Sequence, residues 1–505
     1  MENYISPSTT SPALAVSIIL SCAVATWTVY CLLLSPLRDF PGPLLARVSP
    51  LWIVLQCRRG RRSQAVSDLH EQYGDFVRIA PNHISIANPA AVQQLYGHQS
   101  GFLKGPFYQD IILPFHQVEP VLFNTRSPQV HQRKKKMVSP AFSAKSLQEF
   151  EPYMTKNMQK LIKSIHEQLQ TSERITLDFN VYANFLAFDV IGNFAFGESF
   201  GFLDREEDYL NLIEAVNARG EVLNALGHIP PPLIPLVKRL PLDPFWSQGL
   251  RGTQALAAIG TKAYFNRRDQ VKSRKDLLSF LFTAKDPETG EALGEKEIIA
   301  ESISFIVGGS DTTSTSMVNV VDIVSRSEQI QRRLQDELDD AFPGEMSEDW
   351  VADFRTVESL PVLIAIVRET MRFRPTSATG LERVTPKGGK VVAGRLLPEG
   401  TLVSVPTFNI HHNPTAFKDP EQFRFERWLD DGASKLLESF VPFSIGPRAC
   451  IGRNFAWMEI LKTLATMFKL YHLERVSVGE TMLREGFFVK TRECEIALRR
   501  RVPRA

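Results

Sequence analysis

The chain has 505 residues, 44% of them hydrophobic and 23% charged, with a formal net charge of +2. This composition is that of an ordinary globular protein, and the near-neutral balance gives no reason to expect a nucleic-acid partner. Five cysteines (Cys22, Cys31, Cys57, Cys450, Cys494) form neither a disulfide framework nor a zinc spacing, which suits a reducing compartment.

Between Glu2 and Arg38 no residue is charged, and Ala13 to Leu34 is continuously apolar or small. As a helix this run spans about 33 Å, enough to cross a bilayer. Arg38, Arg47, Arg58, Arg59, Arg61 and Arg62 follow it, so the positive-inside bias places the rest of the chain in the cytosol. A cleaved signal peptide fits less well: there is no basic n-region and the apolar run is too long. Residues 1–37 are therefore read as a membrane anchor ahead of residues 38–505. Phe40-Pro41-Gly42-Pro43 cannot continue a helix and reads as a stiff hinge. The Arg58–Arg62 cluster suits anionic lipid headgroups or a merely solvated face.

Phe76 to Ala80 and His83 to Ala87 alternate around Pro81-Asn82, a hairpin pattern. Residues 101–120 read as a loop, with Lys104 a candidate anchor for a substrate carboxylate. A helix opens at His131-Gln-Arg133-Lys134-Lys135-Lys136. Helical spacing recurs over 151–170, 179–196 and 206–226, and Ile229-Pro-Pro-Pro232 ends the last of these. Glu295 to about Arg326 reads as one helix, on the order of 45 Å long. At its centre stands Gly308-Gly309-Ser310-Asp311-Thr312-Thr313. Two glycines inside a helix cost about 1 kcal/mol each relative to alanine, which suggests a flat group packed there or a helix that opens. Glu369-Thr-Met-Arg372 sets opposite charges at i and i+3 on one face.

The most specific stretch is Phe443-Ser-Ile-Gly446-Pro-Arg448-Ala-Cys450-Ile-Gly452. Gly446 permits a tight turn. Cys450 precedes a helix beginning near Asn454, where the dipole and free N–H groups favour a thiolate. Gly452 lets backbone pass close to a large flat group. A lone cysteine reads as a buried core thiol; four fixed neighbours argue for a metal ligand, and a soft thiolate suits haem iron.

On these residues the chain resembles the cytochrome P-450 superfamily, and microsomal fungal members similar to benzoate 4-monooxygenase in particular. The Glu369, Arg372 and Arg427 set, the Asp311-Thr312 segment and the cysteine loop occur in the family's order. The resemblance implies a mainly α fold with a smaller β region behind one transmembrane helix. It implies haem b with Cys450 as axial ligand, Phe443, Gly446 and Gly452 shaping the loop, and Arg448 and Arg383 binding propionates. His131 and Lys135 stand where the family commonly has tryptophan and arginine, so Lys135 supplies a point charge in place of a planar fork. The remaining basic residues of that run suggest a docking patch for an acidic electron donor. Asp311 and Thr312 would deliver protons. Thr376 to Gly380 and Phe487 to Val489 would face substrate.

The implied reaction inserts one atom of O₂ into a small apolar or aromatic substrate in fungal secondary metabolism. Electrons would come from NADPH through a membrane-bound reductase at the endoplasmic reticulum. Two alternatives stand beside it: a catabolic benzoate-type para-hydroxylase, and a reductase-independent isomerase or peroxygenase, against which Thr312 argues.

Overall fold

The computed structural model describes residues 12–110, 119–239, 243–270, 275–286, 288–477 and 479–501. The first residues of the expected anchor and 111–118 of the expected loop lie outside these. The N-terminal apolar run forms a helix, Pro12–Val29, closed by a π-helical turn, Tyr30–Leu34. It is long and apolar enough to cross a membrane and packs little against the rest of the protein, which is consistent with membrane anchoring. Its end is nevertheless tied down. Arg78 is fully buried on the strand Phe76–Ala80. Its guanidinium donates to the carbonyls of Cys31 (3.0 Å) and Pro81 (2.6 Å), and its amide donates to that of Pro41 (2.7 Å).

The basic cluster that follows is partly engaged in pairs within the protein, while Arg59 stays exposed. Arg62 is buried and donates to Asn224 Oδ1 at 2.7 Å. Arg58 pairs with Asp243, and Arg61 with Asp68.

Helices dominate. The central one, Glu295–Val324, packs against Phe179–Phe196, Arg453–Leu470 and Pro361–Phe373. These helices bury one large apolar core, the dominant favourable term in folding. A second pair, Leu212–Leu226 and Pro244–Asp269, packs together, and Pro244–Asp269 also meets the central helix. The helix Leu212–Leu226 is shorter than its apolar spacing predicts. Glu206 and Asn211 adopt left-handed backbone, and the carboxylate of Asp208 accepts the amides of Leu212 and Ile213, so the helix starts afresh at 212.

The β region has a smaller core of its own. The expected hairpin pairs Phe76–Ala80 with His83–Ile86 antiparallel. Leu402–Ser404 adds parallel to the second strand, and Arg383–Val384 and Leu103–Lys104 continue the sheet antiparallel. This register sets Lys104 directly opposite Arg383.

Candidate active site

The cysteine loop begins where a buried ion network ends. Arg372 and Glu369 are both fully buried and form a two-pronged pair at 2.8 and 3.0 Å. Arg427 donates to the same carboxylate at 3.2 Å and Trp428 at 2.9 Å. Phe425, where the family usually has proline, opens the 3-10 turn Phe425–Trp428 without displacing Arg427. Arg372 also donates to the carbonyl of His411 (2.9 Å), and the His411 ring accepts the amide of Val441 at 3.0 Å. Burial pushes His411 down to about 3, so the ring stays a neutral acceptor. The charge network thus fixes the chain two residues ahead of Phe443.

From there the loop folds on itself. Cys450 donates its amide to the Phe443 carbonyl at 2.9 Å, and Ala449 to Gly446 at 3.1 Å. Gly446 has φ +71°, and a Cβ there would lie 2.1 Å from the Tyr96 carbonyl oxygen, so a side chain is excluded twice over. The helix Arg453–Leu470 starts three residues after the cysteine. Burial raises the Cys450 thiol, opposed by a hydrogen bond from the Gly452 amide and by the Arg453 charge. Coordination to a metal would supply the driving force for its deprotonation.

Cys450 faces a cavity of about 450 Å³. Gly308, Gly309, Asp311 and Thr312 of the central helix line it, as do Lys104, His131, Lys135, Arg383 and Arg448. The two glycines have different tasks. A Cβ at Gly308 would meet nothing within 4 Å, whereas one at Gly309 would come within 2.4 Å of Ile191. Gly308 leaves room in the cavity; Gly309 lets the neighbouring helix approach. The central helix stays continuous through them, so it does not open.

The basic run of Pro128–Val138 divides sharply. Arg133 pairs with Glu297 and Asp286, buried Lys134 with Glu297 and Glu301, and Lys136 with Glu288. These pairs tie the helix to its neighbours; Lys134 is buried, while Arg133 and Lys136 keep exposed surface. Lys135 instead donates to the Pro447 carbonyl at 3.1 Å. Arg448 donates to the Thr125 carbonyl at 2.8 Å, and Arg383 to that of Glu382 at 2.9 Å. Burial and Arg383 push Arg448 down to about 10. Burial and the neighbouring cations push His131 down to about 3, leaving a neutral imidazole. Lys104 donates to the Phe123 carbonyl and sits 4.1 Å from the Tyr108 ring centre. Burial, Arg383 and Arg448 hold it well below the usual lysine range. It belongs to this basic cluster.

Haem fits these residues on three observations. Cys450 presents accessible surface to the cavity. Gly308 leaves open space opposite. Lys135, Arg383 and Arg448 form no ion pair with a carboxylate among the described residues, a deficit that two propionates would fill.

On the far side of the cavity the central helix meets segments that no local motif announces. Lys490 pairs with Asp311 and donates to Asn217 Oδ1 at 2.6 Å. Thr312 donates its hydroxyl to the Gly308 carbonyl at 3.1 Å. Thr376, Ser377, Phe487 and Phe488 line the cavity as expected, and the Val489 amide joins their two segments at the Thr376 carbonyl, 2.8 Å away. Arg219, Asn217 and Lys490 were not singled out from the sequence. The available signal was Arg219's place among Leu212, Ala215, Val216, Leu223 and Leu226, a charge on an apolar helical stripe.

The family model described as cytochrome P-450 matches residues 41–496. A benzoate 4-monooxygenase of Aspergillus niger is 38% identical, covering 92% of this chain and 93% of the relative. A cytochrome P-450 monooxygenase of Penicillium roqueforti is 31% identical over 88% and 85% of the two chains. Another, from Botryotinia fuckeliana, is 31% identical over 92% and 85%. The crystal structure of the cytochrome P-450DA haem domain superposes with a TM-score of 0.76 at 19% identity, covering 92% of this chain and 98% of that one; it speaks for the fold. The loop around Cys450 and the match along nearly the whole chain lead to one conclusion: this protein belongs to the cytochrome P-450 family, as an oxidoreductase of the monooxygenase type.

Proposed function

We propose that the enzyme oxidises a small aromatic or otherwise apolar organic molecule, with electrons from NADPH through a membrane-bound flavoprotein reductase at the endoplasmic reticulum. The observation that carries the substrate reading is the cavity wall. Beyond the basic cluster it is mostly apolar, with Phe123, Phe487 and Phe488 among its aromatic members. The likeness to a benzoate 4-monooxygenase supports an aromatic ring, and the other relatives support oxidation of a fungal secondary metabolite.

Haem, when bound, supplies the redox chemistry that splits O₂, with one atom going to the substrate and the other leaving as water. Cys450 would ligate its iron, and thiolate donation favours cleavage of the O–O bond. Arg448, Arg383 and Lys135 would neutralise its carboxylates, with the neutral ring of His131 lining the same cavity. The Thr312 hydroxyl and the Asp311 carboxylate bring protons to the cavity. Glu369, Arg372 and Arg427 hold the fold that positions the loop.

Turnover of the reconstituted chain with NADPH, a fungal reductase and a panel of aromatic metabolites tests the reading. A hydroxylated product whose formation requires NADPH is expected. Product formed equally well from peroxide without reductase would favour a peroxygenase.

A further inference from the structure

Four arginines line the cavity: Arg219, Arg383, Arg448 and Arg484. Three have partners. Arg383 and Arg448 donate to backbone carbonyls, and Arg484 is held by Glu214 and Glu221. Arg219 makes neither a hydrogen bond nor an ion pair among the described residues, and its Nε is buried without an acceptor. Such a group is costly to leave unmet. The charge of Asp311 reaches it, but that carboxylate is engaged by Lys490.

Arg219 is also held in place. The next residue, Gly220, accepts the Phe487 amide at 3.0 Å. A Cβ on Gly486 would come within 2.8 Å of the Glu221 amide. The helix Leu212–Leu226 and the turn before Val489–Thr491 are therefore locked together immediately after Arg219. Around it the cavity is lined by Val216, Leu223, Leu256, Phe487 and Phe488.

We propose that Arg219 is the docking point for the carboxylate of the substrate, and that the substrate class is a monoanionic aromatic acid. The proposal rests on the aromatic reading above and adds the acid group to it. One guanidinium matches one carboxylate in charge and in planar geometry. Lys490 and Arg484 are already balanced by acidic side chains, so a dianion finds no second cation here. Burial pushes Arg219 down to about 10, which leaves it charged at neutral pH.

The test is a spin-state titration of the haem-loaded full chain with matched pairs: benzoate and methyl benzoate, cinnamate and methyl cinnamate. The acids are expected to bind at least tenfold more tightly than their esters. Arg219→Gln is expected to remove that preference while leaving ester affinity within about twofold. Arg219→Lys, which keeps the charge, is expected to retain part of it, and haem content reports whether each variant folds. Equal binding of acid and ester by the natural chain overturns the proposal, as does equal weakening of both by Arg219→Gln. Silence from both acids also overturns it. If the esters still respond, the aromatic reading survives; if they are silent too, it falls as well.

Discussion

The floor and the roof of the cavity handle charge in opposite ways. On the floor, Lys135, Arg383 and Arg448 converge and lean on carbonyl oxygens. On the roof, Lys490 and Arg484 are matched to Asp311, Glu214 and Glu221, and Arg219 is left over among the described residues. The contrast teaches how to read unmet charge inside a protein. A cluster of cations without counter-ions describes a cofactor with several carboxylates, while a single residual cation describes a ligand with one. Residues 133–136 make the same point within one turn of helix, since Lys134 is spent on carboxylates and Lys135 is not.

Breaking the floor should have the largest effect. Cys450→Ala removes the thiolate; activity is expected to vanish, and the reduced protein with carbon monoxide should lose the thiolate-ligated spectrum. Next comes the network beneath it. Arg372→Ala leaves Glu369 buried with only part of its compensation, at a cost of about 3–5 kcal/mol. The purified variant is expected to contain no haem, and normal haem content would disprove the role.

The roof should respond more gently. Asp311→Asn is expected to slow NADPH-driven turnover by about 10²-fold, at the low end for a lost acid–base group. Thr312→Ala should lower product formed per NADPH and raise peroxide release. Unchanged coupling in both variants would remove the proton route from the roof.

The smallest effect concerns stability, in the sheet that carries Arg383 and sets His83 3.8 Å from Glu382. His83 is buried, bonds to the Ser404 hydroxyl at 2.9 Å, and is pushed down to about 3, mainly by burial. With the folded value below the unfolded one, its contribution is complete above pH 6.5 and is lost as pH falls from there toward 3. That amounts to about 2 kcal/mol by pH 5. Denaturant titrations across that range should show a shallower acid loss in His83→Gln.

The floor was legible because its key residues are close in sequence and its glycine is fixed by φ. Gly446, Arg448 and Cys450 share one short loop, and Glu369 and Arg372 one helical turn. The roof was legible only in part: Asp311, Thr312 and Phe487 to Val489 stood out, but Asp311 finds its cation 179 residues away. The helix Pro244–Asp269 escaped for another reason. Its contacts are made by glycines: a Cβ at Gly249, Gly252 or Gly260 would lie within 2.5 Å of Val222, Ala215 or Ile303. Close approach of backbone leaves little apolar periodicity to read. Lys104, proposed from its sequence as an anchor for substrate, is paired by sheet register with Arg383 and belongs to the floor.

Arg78 bears on how a soluble version of the enzyme should be cut. Its guanidinium is satisfied by the oxygens of Cys31, Ser35, Leu37 and Pro81. A truncation that removes everything through Leu37 discards three of these four acceptors and leaves a cation sealed in the interior. A shorter deletion that stops before Cys31 keeps them and still sheds most of the greasy segment. The first design should come out of expression aggregated and the second folded.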